Sequence, residues 1–213
     1  SGCTKACSIN KDEFDITKLS DYVQTHSHAI TFGADAWSIL SDIELSIKNK
    51  IEAVGTPLKD WDVDIYRGVL TGYNDAFIIS SEKREEILEN CADESEKQRT
   101  AAIIRPILRG RDIKRYSYVF AEQYLIATFP AKQYDIDDYP ALKEFLLSFG
   151  IERLEQTGKE YIIDDEKVKA RKKTNNKWFE TQDSISYWDE FSKTKIVWIE
   201  LSDESKFAIC DDL

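Results

Sequence analysis

The firmest pattern along the chain is a set of apolar residues at helical spacing. Ile43, Ile47, Ile51 and Val54 recur every three or four positions, with Lys48, Lys50 and Glu52 between them. That period puts the aliphatic side chains on one stripe of a helix, and the stripe is expected to face a core. Ser41 and Glu44 stand three residues apart, the spacing of a capping box, so the helix starts there. Gly55 takes the position just past the last periodic residue, and Pro57 stops the chain soon after. A second helix opens at Asp138 and Pro140, because proline is favoured at the first helical position, and Leu142, Phe145, Leu146 and Phe149 form its stripe. Ser80 or Ser81 can cap a third, with Glu82 in its first turn, running towards Leu88.

A period of two marks the strands. Val63 to Leu70 alternates well enough for one. Thr71-Gly72-Tyr73-Asn74 then reads as a turn, since Gly and Asn both tolerate positive φ. Ala76-Phe77-Ile78-Ile79 predicts a short buried strand, and the run from Tyr118 to Phe129, rich in Tyr, Phe and Ile, predicts another. Lys195 to Leu201 and Phe207 to Cys210 predict two strands joined across Ser202-Asp203-Glu204-Ser205. Residues 91–102 are charged and fit a solvated helix or loop. Residues 3–36, with Phe14, Ile16, Leu19, Tyr22 and Val23, fit helix or extended chain. Strands and helices interleave irregularly, which gives an α+β fold: a mixed, largely antiparallel sheet with packed helices.

Composition bounds this picture. With 213 residues, 42% hydrophobic and 12% aromatic, the chain can bury a real core in one domain or two small lobes. No run reaches the apolar length of a membrane span, and no secretory leader pattern is present. The cysteines at 3, 7, 91 and 210 are too widely spaced for a zinc knuckle, so reduced cytoplasmic thiols are the expectation. His26 and His28 alone do not make a metal site. The chain has no Met and opens Ser-Gly, which reads as a tag remnant at residues 1 and 2 on a piece of a longer protein.

Charge changes the picture most. The net charge of -11 argues against a general polyanion binder, yet it permits one basic face. Such a face is offered by the stretch Ile103 to Tyr118, which holds Arg105, Arg109, Arg111, Lys114 and Arg115 against a single acid, Asp112. Pro106 and Gly110 exclude a long regular helix there. Ile103, Ile104, Ile107, Leu108 and Ile113 alternate with the charges, so the aliphatics anchor a loop and the guanidinium groups fan outward. Guanidinium suits phosphates and the O6/N7 edge of guanine. The alternative is ion pairing on an ordinary acidic surface, including an internal pair between Arg105 and Asp112. A second basic cluster, Lys167, Lys169, Arg171, Lys172, Lys173 and Lys177, surrounds Asn175 and Asn176 and precedes Trp178-Phe179. It fits either a mobile DNA-facing loop or a solvated charged one.

Catalytic signatures are missing. There is no glycine-rich phosphate loop, no G-x-S-x-G elbow and no H-E-x-x-H. Glu204-Ser205-Lys206 has the E-x-K spacing of many metal-dependent nucleases, but it sits in a predicted turn without a partner Asp. The chain itself is expected to hold no cofactor and no metal.

Several phrases in order carry a resemblance. They are Trp37-Ser38-Ile39-Leu40, then Lys50 to Leu58 (KIEAVGTPL), then Tyr66 to Ile79 (YRGVLTGYNDAFII). Ile104 to Tyr116 (IRPILRGRDIKRY), Tyr139-Pro140-Ala141-Leu142, Tyr187-Trp188 and Lys195 to Ser202 (KIVWIELS) complete the series. Together they resemble the TaqI-like C-terminal specificity domain, the target recognition domain of adenine-N6 DNA methyltransferases and type IIG restriction–modification enzymes. The resemblance implies an N-terminal segment over residues 1–34 and a recognition domain over 35–213, cut short at its C-terminus. It implies a bacterial or archaeal cytoplasmic protein whose partners are double-stranded DNA and the methylase domain of the parent chain. S-adenosylmethionine, with magnesium where a nuclease is present, would belong to that parent. The domain of this family reads bases through the major groove. Here Arg109 and Arg111, flanking Gly110, are the expected base readers, with Lys114 and Arg115 on phosphates. Asn74 is either an adenine reader or a turn cap. Arg171, Lys172, Lys173, Asn176 and Lys177 would form a second contact loop. A methyltransferase without a nuclease, in a phage-defence system, and an acidic protein-interaction module are the alternatives.

Overall fold

The chain divides after Ile65 into two units, Ser1–Ile65 and Tyr66–Leu213. The computed structural model describes residues 3–9, 15–31, 39–200, 202 and 204–211. The sequence readings on Ser1-Gly2, Phe14, Trp37-Ser38, Leu201 and Asp203 lie outside the described residues. The division falls inside the span from residue 35 onward that the resemblance covers.

In the first unit β1 (Cys3–Ala6) pairs antiparallel with β2 (His28–Thr31), and α1 (Leu19–His26) lies between them in sequence. The capped helix forms as α2 (Asp42–Val54). Its capping box is complete: the Glu44 carboxylate accepts the Ser41 N–H at 2.8 Å, and the Ser41 hydroxyl accepts the Glu44 N–H at 3.4 Å. Gly55 ends it with an extended backbone, φ −82°, not a left-handed one. A side chain there would place its Cβ 2.7 Å from the Ile51 carbonyl oxygen, so glycine is required by close approach. The expected burial of the stripe fails. No residue of α2 is buried, and Ile43, Ile51 and Val54 are 74%, 63% and 88% exposed. A cap and a good helical period nucleate a helix without a core behind it, and the period names a face but not a partner.

The predicted strand over Val63–Leu70 is absent too: residues 63–70 carry no strand. Alternation alone does not make a strand, which needs a ladder to satisfy its backbone. Leu70 instead exchanges hydrogen bonds with Asp183, its N–H donating to Asp183 Oδ2 at 3.3 Å and its carbonyl accepting the Asp183 N–H at 3.1 Å.

The second unit is built on a three-stranded antiparallel sheet. One helical turn, α3 (Asn74–Phe77), leads into β3 (Ile78–Ser80), where the sequence suggests strand throughout. Ser80 caps α4 (Ser81–Glu89), accepting the Lys83 N–H, and Asp93 caps α5 (Glu94–Ile103). Then come β4 (Ile104–Pro106), the short pair β5 (Ile113–Lys114) and β6 (Ser117–Tyr118), and β7 (Gln123–Ile126). The sheet order is β3-β7-β4. Pro106 is tolerated because β4 is an edge strand. Next are α6 (Pro140–Leu147), with proline in its first turn, and α7 (Ile151–Leu154). The hairpin β8 (Glu160–Ile163) and β9 (Glu166–Lys169) follows, and then the hairpin β10 (Lys195–Trp198) and β11 (Phe207–Cys210). The last pair matches the two predicted strands, the first of them ending at Trp198. The β8–β9 hairpin does not: a polar, charged sequence conceals it. Its turn is Asp164-Asp165, both in the left-handed region at φ 50° and 65°, where Asp is among the tolerated residues.

Alternate residues of β7 enter two cores. Ile126 joins Phe77, Ile79, Ile104, Ile87, Leu142 and Leu146 on the helical side. Leu125 joins Ala127, Phe129 and Ile185 on the other, where Trp188 packs on Phe129 and Phe191 on Trp188. The fold is α+β, with small antiparallel sheets packed by helices. Buried Glu96 ties α5 to the start of α6, since Oε1 accepts the Ala141 N–H at 2.9 Å and Oε2 the Ala92 N–H at 2.8 Å.

Candidate nucleic-acid interface

The turn Thr71-Gly72-Tyr73-Asn74 is held from beneath. Gly72 takes φ +78°, and a Cβ there would meet Arg171 Cδ and Gln182 Oε1 at 3.2 Å, so both conformation and space select glycine. The buried Thr71 hydroxyl donates to Asn74 Oδ1 at 2.7 Å and accepts the Tyr73 N–H at 3.2 Å. Asn74 therefore caps the turn through its oxygen. Its carboxamide nitrogen makes no hydrogen bond among the described residues, and the residue is exposed.

The arginine loop approaches the same place. Arg109 does not fan outward as expected: Nε and Nη2 donate to the two oxygens of Asp112 at 2.9 and 3.0 Å, and its N–H donates to Oδ2 at 2.9 Å. The internal ion pair of this loop is thus Arg109–Asp112, correcting the expectation of Arg105–Asp112. Asp112 is buried. The Arg109 guanidinium, chiefly by hydrogen bonding, holds its carboxyl below the usual range. Arg111, one residue beyond Gly110, is exposed, and its guanidinium makes no hydrogen bond or ion pair among the described residues.

These pieces meet in a cleft of about 460 Å³ lined by Asn74, Asp75, Ile78, Arg109, Gly110, Arg111 and Gln123. Three of the sequence-predicted site residues, Asn74, Arg109 and Arg111, are brought together there. Asp75 and Gln123 were missed. Asp75 follows the turn and had a signal in its neighbour, whereas Gln123 joins only because β7 pairs with β3, placing Gln123 opposite Ser80.

The loop leaves the cleft through the β5–β6 hairpin. Lys114 Nζ donates to the Arg111 carbonyl at 3.0 Å, and the Arg115 guanidinium lies 5.3 Å from the Tyr116 ring centre. Both residues are exposed. Behind them β11 packs on β5 and β6, and the Tyr116 N–H donates to the Phe207 carbonyl at 2.7 Å. Ile113, Ala208 and Cys210 are buried there.

The second basic cluster separates into two kinds of residue. Arg171 is 4% exposed. Its Nε donates to the Leu154 carbonyl, Nη1 to those of Thr71 and Glu180, and Nη2 to that of Trp178, while the guanidinium lies 4.9 Å from the Phe77 ring centre. Burial pushes its pKa down to about 10, so it stays cationic at neutral pH. It is the pin under the Thr71 turn and is not presented to a duplex, which corrects the expectation. Asn176 is likewise turned inward, its Nδ2 donating to the carbonyls of Thr181 and Gln182 at 3.1 and 2.9 Å. Lys172, Lys173 and Lys177 are exposed, and none of them lines the cleft. Glu204, exposed, and Lys206, half-buried, of the E-x-K triplet form an ion pair at 3.5 Å. Among the described residues no three His, Cys, Asp or Glu side chains group as a metal site, and no helix is long and apolar enough to cross a membrane.

No family model matches this chain, and no curated protein matches it.

Proposed function

We propose that the second unit is a double-stranded DNA target recognition module of the TaqI-like specificity type. It would serve a site-specific adenine-N6 methyltransferase, with or without an attached restriction nuclease. One observation carries the reading: a guanidinium (Arg111), two carboxamides (Asn74, Gln123) and a carboxylate (Asp75) converge in a single cleft. These are the side chains that pair with guanine O6/N7, adenine N6/N7 and cytosine N4 at the major-groove edge. A site for bare phosphate needs cations and has no use for Asp75. The exposed Lys114, Arg115, Lys172, Lys173 and Lys177 supply phosphate contacts that set register without reading sequence. The parent's methylase domain would bring S-adenosylmethionine, and a nuclease, where present, would bring magnesium.

Selection from a randomised duplex pool at low and moderate salt tests this. An enriched motif is expected. Arg111→Ala should relax discrimination at one position of it by about 1–3 kcal/mol, while Lys172→Ala weakens all sequences alike and lowers the salt slope by about 1. Uniform losses in both variants would sink base reading.

A second reading, a protein-interaction module, draws on the net charge of -11 and the exposed aliphatic stripe of α2. It requires no DNA binding at low salt.

A further inference from the structure

The tip of the β5–β6 hairpin carries a residue that neither the cleft nor the fold accounts for. Tyr116 is 78% exposed, and its backbone sits at φ +66°, in the left-handed region where glycine and asparagine are at home and a bulky aromatic is an outlier. Such outliers persist where surrounding structure over-determines them, and they gather at functional positions. Here the surroundings do so. The flanking residues Lys114 and Ser117 are paired across the hairpin, and the Tyr116 N–H is pinned to the Phe207 carbonyl of the neighbouring hairpin. The ring is therefore presented from a braced backbone, and its hydroxyl makes no hydrogen bond among the described residues. Arg115 lies against it at 5.3 Å from the ring centre, and Lys114 reaches back to the Arg111 carbonyl, which ties the tip to the cation of the cleft.

We propose that Tyr116 is a base-stacking residue: its ring packs against a nucleobase of the bound duplex beside the recognised base pairs, while Arg115 and Lys114 hold the adjacent phosphates. This rests on the DNA-recognition reading above. An exposed aromatic framed by cations is the combination that stacks on nucleobases, because every base offers an apolar π face and the neighbouring phosphates need neutralising. Opening a base step costs unstacking energy, and that cost falls where the stack is already interrupted.

The test compares the full chain on a duplex and on the same duplex with one abasic site, with Tyr116→Gly and Tyr116→Phe alongside. Wild type should bind the interrupted duplex on the order of tenfold more tightly. Tyr116→Gly should bind both equally, with the salt slope unchanged and a melting temperature at or above wild type, since glycine relieves the left-handed backbone. Tyr116→Phe should keep the preference. Wild type that binds both duplexes equally, or a Gly variant that keeps the preference, overturns the stacking role and leaves DNA recognition standing. A Phe variant that loses the preference as fully as Gly also overturns it, by assigning the effect to the hydroxyl. Failure of wild type to bind either duplex at low salt overturns the recognition reading, and this one with it.

Discussion

Arg171 and Lys172 are neighbours in one cationic run, yet they end in opposite places. Guanidinium is planar, weakly hydrated and carries five donors, so it can be buried where several carbonyls converge; an ammonium cannot serve four carbonyls spread around it. Arg171→Lys should lower unfolding free energy by at least about 3 kcal/mol, because carbonyls of Leu154, Thr71, Glu180 and Trp178 lose partners in a dry site. A shift in the urea midpoint no larger than that of Lys172→Ala would contradict this. Asp112 gives a pH prediction. Its folded carboxyl titrates below its ordinary value of 3.8, so the stability it contributes is present above that value and is lost as pH falls through the folded pKa. Asp112→Asn should weaken the fold at neutral pH and flatten the loss on acidification below pH 3.8; an unchanged acid limb in denaturation curves would disprove the assignment.

At the scale of elements, local chemistry and long-range pairing part company. The capping box of α2, the proline start of α6, the Ser80 cap of α4 and the Gly72 turn are all legible, because each is settled within a few residues. The strand expected over 63–70 and the concealed β8–β9 hairpin fail for the converse reason. A strand exists only when a distant segment satisfies it, and an Asp-Asp turn can close a hairpin that hydropathy does not announce. The stripe of α2 follows the same rule. Ile47→Glu should change stability by no more than about 0.5 kcal/mol, as for exposed sites generally, while Ser41→Ala should cost about 1 kcal/mol of helix stability. Thermal unfolding followed by circular dichroism separates the two; a large loss from Ile47→Glu would mean the stripe is covered in solution.

At the scale of the molecule, both cores draw all their residues from the second unit, from Val69 to Phe191. Residues 66–213 alone should therefore melt cooperatively within a few degrees of the same transition in the full chain. A noncooperative melt would show that the first unit supplies part of the core. Charge sorts at this scale as well: the excess acid is dispersed, while Arg111, Lys114 and Arg115 stand together on one braced loop. By itself the sequence determined the elements with local causes, the α+β class, and the presence of an arginine-rich loop anchored by aliphatics. Only the tertiary structure decided which arginines are structural and which are presented, that Gln123 joins Asn74 and Arg111, and that Tyr116 stands out at the tip. Those outcomes depend on which carbonyls, carboxylates and strand edges arrive from residues far away in the chain, and a side chain's neighbours across the fold are not encoded in its neighbours along it.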